Sequence, residues 1–217
     1  MDDQKLYKNE IYHLFNRSIA GFKIFKNDKD IRRFLQALAY YATEEGKYSL
    51  SVFLKKNKNF NYNLLLLPQN TIVKFIAYCI MPDHYHLVVK VKDPLRFSKY
   101  INDVENSYTR YFNTKTGRRG PLWESRFKRV RVETDEQLLH LTRYVHLNPT
   151  SDGLVRKPEE WRFSSYKDYI NSPKILREVL YEITITSPKL YKEFVDSRKD
   201  YQRKLKEIRR LLFRETV

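Results

Sequence analysis

Apolar and polar residues alternate along 10–17 (EIYHLFNR), which predicts a strand. The period then changes. Behind Asp28 and Asp30, apolar or aromatic residues at Ile31, Phe34, Leu35, Leu38 and Ala42 predict a helix ending near Gly46. Residues 49–53 are short and β-prone, and the Asn/Lys-rich stretch 55–63 reads as an exposed loop or hairpin tip before the apolar 64–67. Val73–Ile80, a break at Met81, Pro82 and Asp83, and then His84–Val91 predict strand, turn, strand. Pro94 opens a helix through Phe97, Ile101, Val104, Tyr108 and Phe112 that ends before Gly117. A basic loop leads to an alternating strand at 127–132, and Thr134 then caps a helix with Leu138, Leu141 and Val145 on its apolar face, stopped by Pro149. The order β–α–β–β–α–β–α predicts an α+β fold of ferredoxin-like type, an antiparallel-rich sheet with helices packed on it. Residues 1–150 are expected to form this domain and 151–217 a helical, basic C-terminal extension. Within it, 187–214 carry an apolar stripe (Leu190, Phe194, Tyr201, Leu205, Ile208, Leu212) on an otherwise basic helix.

Charge adds what the pattern leaves out. The 217 residues hold 42 Lys and Arg against 26 Asp and Glu, a net +16, with 41% hydrophobic residues and 17 tyrosines. That apolar content supports a core and excludes wholesale disorder. A basic chain rich in aromatic rings points to a polyanion whose bases can stack, the alternative being a solvated basic surface. No apolar run approaches the ~18 residues of a membrane span, so no membrane association is expected. The charged N-terminus and the single Cys79 predict a reducing, cytoplasmic setting.

Three constellations could carry chemistry. On a strand, His84 and His86 share a face and could grip one divalent cation, or could be two ordinary strand histidines. On a helix, Tyr144 and Asn148 share a face. A phenol is a feasible nucleophile toward a phosphodiester and an amide oxygen a feasible ligand for a hard cation. The plainer alternative is a helix-end tyrosine and a helix-stopping asparagine. In 118–131, Trp123 and Phe127 lie among Arg118, Arg119, Arg126, Lys128, Arg129 and Arg131, an arrangement suited to unpaired nucleic acid, or else a core tryptophan under a solvated loop. His13 and His140 have no partner at useful spacing and are assigned to structure.

The segments MPDHYHLVV, RRGPLWESRFK, YVHLNP and WRFSSYKDY occur in this order, and the chain resembles the HUH single-tyrosine transposases through them. Within that group it is most similar to the REP-associated tyrosine transposases, from YHLFNRS to about Tyr169. The resemblance implies a nuclease domain that nicks and rejoins single-stranded DNA beside a hairpin, as monomer or homodimer. His84 and His86 match the paired metal ligands, Asn148 the polar ligand one turn after the nucleophile, and Tyr144 the nucleophile itself. Mg²⁺ or Mn²⁺ is the implied cofactor and a 5′-phosphotyrosine link the implied intermediate. Tyr85 departs from the pattern, an aromatic where the family has an aliphatic. The rival readings are a DNA-binding module on the same fold without catalysis, and a metal-dependent hydrolase without a covalent step.

Overall fold

The computed structural model describes residues 5–43, 48–60, 62–66, 72–172, 185 and 187–198. Strands β1 (Ile11–Arg17), β2 (Val73–Ile80), β3 (His84–Val91) and β4 (Lys128–Val132) form one antiparallel sheet in the order β2-β3-β1-β4, with helices packed on it. The α+β expectation therefore holds. The chain divides into two compact units, one of 1–76 and 82–132, the other of 77–81 and 133–217.

In the first unit, α1 (Asp28–Tyr41) starts at Asn27, whose side chain accepts from the Asp30 amide, and α3 (Pro94–Thr116) starts at Asp93, which accepts from the Leu95 and Arg96 amides. Gly117, at φ +68°, ends α3 in the left-handed region. Both helices cover the sheet face that carries Tyr12, Leu14, Asn16, Tyr85 and Leu87. Tyr85 lies 5.1 Å from Phe34 of α1 and donates to Glu105 of α3 at 2.8 Å. Tyr100 and Tyr108 of α3 donate to the carbonyls of Leu38 and Ile24, so long buried rings lose no hydrogen bond.

Residues 49–53 are helical, not extended: α2 spans Leu50–Lys56, capped by Ser49, whose hydroxyl accepts from the Val52 amide. The β-prone composition misleads because Leu50 and Phe53 stand at helical spacing. Leu50 is buried, and Phe53 packs against Tyr40 at 4.6 Å. Instead of a hairpin tip, the described part of 55–66 is the end of α2 and a 3₁₀ turn at Tyr62–Leu66.

Glu105 sits at the centre of this core, 6% exposed, its Oε1 accepting from Tyr85 Oη and from Asn16 Nδ2, both at 2.8 Å. Burial pushes its carboxyl up from 4.5 to about 7 against those two hydrogen bonds. The folded protein thus holds a proton that the unfolded chain releases near pH 4.5. The contribution of Glu105 to stability is greatest below that pH and is lost as pH rises through about 7, by about 3 kcal/mol in all. Glu105→Gln keeps an acceptor for both donors and cannot ionise. In thermal melts the variant should gain on the unaltered chain as pH rises from 5 to 8, and at pH 8 it should outlast it. A parallel decline in both would remove Glu105 as the cause.

In the second unit, α4 (Asp135–Ser151) is capped by Thr134, which accepts from the Gln137 amide. Pro149 does not stop it. A proline removes one donor, the one owed to Val145, and the helix nevertheless runs on to Ser151. Asn148 Nδ2 donates to the Tyr144 carbonyl at 3.0 Å and Thr150 Oγ1 to the Leu147 carbonyl at 2.8 Å. The helix ends instead just before Gly153, at φ +71°. Helices α5 (Tyr166–Asn171) and α6 (Pro188–Asp196) complete the described part. His146 is fully buried between Tyr191 Oη at 2.7 Å and Ser165 Oγ at 2.8 Å, and burial lowers it to about 3, so it stays neutral. The expected stripe is displaced by one residue in α6: Tyr191 and Val195 are buried while Leu190 is half exposed, because Tyr191 is the residue that reaches His146. Tyr201, Leu205, Ile208 and Leu212 lie outside the described residues. Among the described residues no helix is long and apolar enough to cross a membrane.

Candidate active site

The turn at Pro82 and Asp83 starts β3 so that His84 and His86 fall on the sheet face opposite α1 and α3. Their rings lie edge to face with centroids 5.1 Å apart, and both are nearly buried, at 8% and 6% exposure. Each directs Nδ1 to a partner. His84 Nδ1 lies 2.6 Å from Asp83 Oδ1. Burial works against the Asp83 charge, yet the His84 hydrogen bond and the charges of His84 and Arg17 hold its carboxyl below the usual range. An ionised Asp83 keeps the proton on Nδ1, which leaves the Nε2 lone pair as the one suited to a cation.

His86 Nδ1 lies 3.0 Å from Nε2 of His13. Burial lowers His13 to about 4, so it is neutral near pH 7 and can accept the His86 proton. His13, assigned to structure by its isolation in the sequence, thus orients a candidate ligand. Its place follows from register: Phe15 pairs with His86 across β1 and β3, and His13 is the diagonal neighbour. Sequence alone carries no signal of that register. His140 does have a structural setting, against Arg143 and Phe194.

Two imidazoles whose other nitrogens are held by a carboxylate and a neutral imidazole fit as paired ligands of a divalent cation. Among the described residues no three or more His, Cys, Asp or Glu side chains cluster as a closed metal cage.

Helix α4 brings the other two candidates together. Tyr144 is 40% exposed and Asn148, one turn later, is 2% exposed. With its Nδ2 on the Tyr144 carbonyl, the Asn148 atom suited to a hard cation is Oδ1. The other described tyrosines of this unit, Tyr78, Tyr166, Tyr169 and Tyr191, are all buried. Burial pushes the phenols of Tyr166, Tyr169 and Tyr191 up, away from ionisation.

The basic run is divided by its surroundings. Trp123 lies in the first unit's aromatic cluster, 5.6 Å from Tyr85 and 6.0 Å from Phe34, and its Nε1 donates to the Glu105 carbonyl. It is a packing residue with a basic loop beside it. Arg119, Arg126, Lys128 and Arg131 are exposed and Arg129 half-buried. Arg118 donates to Asn113 Oδ1 and to the Gly120 carbonyl, and Arg131 pairs with Glu10 at 3.1 Å. Because Phe15 pairs with Lys128, Lys128 lies on the histidine face, whereas Arg129 and Arg131 pair with Leu14 and Tyr12 on the helix-covered face. Arg17, opposite His84, adds an exposed cation to the histidine face that the reading of the sequence missed.

The chain is similar to known proteins in sequence and in fold. Residues 45–148 match the family model described as "Transposase IS200 like". A Haemophilus influenzae protein described as a REP-associated tyrosine transposase is 26% identical over 101 residues, 42% of this chain and 57% of that protein. The REP-associated tyrosine transposase of Escherichia coli is 22% identical over 91 residues, 42% of this chain and 52% of its own. The match thus spans little more than half the length of these curated relatives. In fold, the chain is similar to a solved REP-associated tyrosine transposase bound to a REP hairpin, with a TM-score of 0.53 and 15% identity over 79% of this chain and 87% of that one. Family model, curated relatives and fold point the same way: residues 45–148 match the IS200-like transposase model, and the proteins this chain resembles are REP-associated tyrosine transposases.

Proposed function

We propose that this chain nicks and rejoins single-stranded DNA beside a hairpin, with Tyr144 as the nucleophile. The observation that carries the reading is the exposure of Tyr144 on α4 where the other described tyrosines of its unit are buried. Attack by Tyr144 Oη on a phosphodiester forms an O–P bond and breaks the bond to the 3′ oxygen, which takes up a proton. The products are a 5′-phosphotyrosine and a free 3′-OH. Return attack by a 3′-OH restores the phosphodiester and frees the phenol, so no external energy source is consumed. His84 and His86 would hold Mg²⁺ or Mn²⁺, with Asn148 as the third ligand that the resemblance implies. Such a cation supplies positive charge that polarises the scissile phosphate. Asp83 and His13 keep the two imidazoles in the ligating tautomer. The hairpin in the solved relative supports a hairpin partner for this chain, as monomer or homodimer.

The test is incubation with labelled single-stranded DNA from the sequences flanking its gene, with Mg²⁺ or EDTA, and separation on a denaturing gel. A covalent adduct that needs the divalent ion supports the reading. Tight binding without an adduct leaves a DNA-binding module on the same fold, and multiple turnover without an adduct indicates a hydrolase.

Affinity for the strand should fall with salt, with a log–log slope of roughly −0.7 per phosphate contact. Replacing Arg118, Arg119, Lys128 and Arg131 together by Ala should flatten that slope, measured by fluorescence anisotropy between low and physiological salt. An unchanged slope would move the DNA track to other cations.

A further inference from the structure

We infer that the cleft between 22–26 and the C-terminal end of α3 takes one unpaired nucleotide of the DNA strand, its base against Phe22 and its phosphate among Lys23, Lys26 and Arg118. This deepens the reading of the chain as a single-strand DNA enzyme and rests on it.

The backbone after β1 puts Phe22 at the cleft. Ala20 takes φ +52°, a left-handed conformation uncommon for a residue with a Cβ, and Gly21 follows at φ +64°. Ser18 Oγ donates to the Phe22 carbonyl at 2.6 Å and closes the turn. Beyond it, Ile24 and Phe25 are buried and their amides donate to the Pro82 carbonyl at 2.9 and 3.0 Å. The chain is anchored on both sides, and the ring between the anchors is 60% exposed. A large aromatic held out in a strained, doubly anchored turn has a reason to be there other than packing.

The cleft beside it has a volume of about 290 Å³. That is near the lower end, roughly 300 Å³, of pockets that hold small ligands, so it suits a single nucleotide. Phe112 lines it, 5% exposed, and the Lys26 ammonium lies 5.7 Å from that ring's centroid. Lys23, Lys26 and Arg118 are its charged lining residues, and among the described residues no carboxylate lines it. Arg118 is held by Asn113 Oδ1 and the Gly120 carbonyl, both 3.2 Å from Nη1, so little side-chain ordering remains to be done on binding. Aromatic faces alternating with cations are the composition of single-strand grooves, where bases stack and phosphates are neutralised.

Position argues for the same occupant. The Ser18 amide donates to the Asp83 carbonyl at 2.8 Å, and Ile24 and Phe25 donate to Pro82. The turn bearing Phe22 is thus bonded directly to the turn that orients His84. The ring that stacks a base is therefore Phe22, in place of Trp123, which packs in the aromatic cluster.

Binding of a short single-stranded DNA oligonucleotide to the whole chain, followed by anisotropy, tests this. Phe22→Ala should weaken binding by about ten-fold and Phe22→Tyr should restore it. Lys23→Ala with Lys26→Ala should weaken binding and flatten its salt slope. In a series of oligonucleotides each with one abasic site, one position should erase the difference between Phe22→Ala and the unaltered chain. Equal affinity of a folded Phe22→Ala variant, checked by its melting temperature, overturns the proposal while leaving the adduct assay intact. A Phe22 effect on binding with no adduct from the unaltered chain would sink the strand-transfer reading and keep the cleft. Absence of any single-strand binding would overturn both.

Discussion

Tyr144→Phe is expected to bind single-stranded DNA as the unaltered chain does and to form no covalent adduct, with cleavage lowered on the order of 10⁴-fold or more. The change deletes one oxygen from a side chain that is 40% exposed, so packing on α4 should survive it. The nucleophile itself is lost, and electrostatic help cannot replace a missing attacking atom. A denaturing gel after incubation with labelled strand and Mg²⁺ reads the result. An adduct of undiminished yield would show another tyrosine to be the nucleophile. Tyr166 and Tyr169, the nearest downstream, are poor substitutes because both are fully buried and burial pushes their phenols up.

His84→Ala and His86→Ala should each remove most cleavage, and raised Mn²⁺ should partly restore it. A lost ligand lowers cation affinity, which mass action offsets. Asn148→Ala should cost less. Asp83→Asn and His13→Ala leave the ligands in place but release their orientation, so each should cost about ten- to a hundred-fold, a range usual for groups that hold metal-binding histidines. Metal titration of cleavage in each variant measures this. Unchanged metal dependence in both histidine variants would sink the assignment.

The parts of the fold that were legible in the sequence are those with local causes. Pro82 and Asp83 between two apolar runs marked the β2–β3 hairpin, and Pro94 and Gly117 marked the two ends of α3. Misreadings arose where a weak local signal met a tertiary contact. The 49–53 stretch looked extended because Val and Phe favour strands, but Ser49 caps it and Phe53 packs on Tyr40. Pro149 looked like a stop, but α4 includes it and ends at Ser151, before Gly153. The candidate site divides the same way. His84 and His86 follow from strand alternation and Tyr144 with Asn148 from helical spacing. His13 and Arg17 depend on how β1 registers against β3, and Trp123 depends on which side of a loop meets the core.

Strand β4 is last in the sheet, with β1 as its neighbour, and it exposes Lys128, Arg131 and a 56% exposed Val130. An outer strand is a template onto which a second molecule can add its own backbone. Two such borders carrying like charges push each other away, so the cations there work against fibrous self-association, and under the proposed function they also face phosphates. Salt screens both effects at once. Under the proposed function, conditions that loosen the chain from DNA would therefore also weaken its colloidal repulsion, and a bound strand, by masking those charges, would take over as the physical cover of the border.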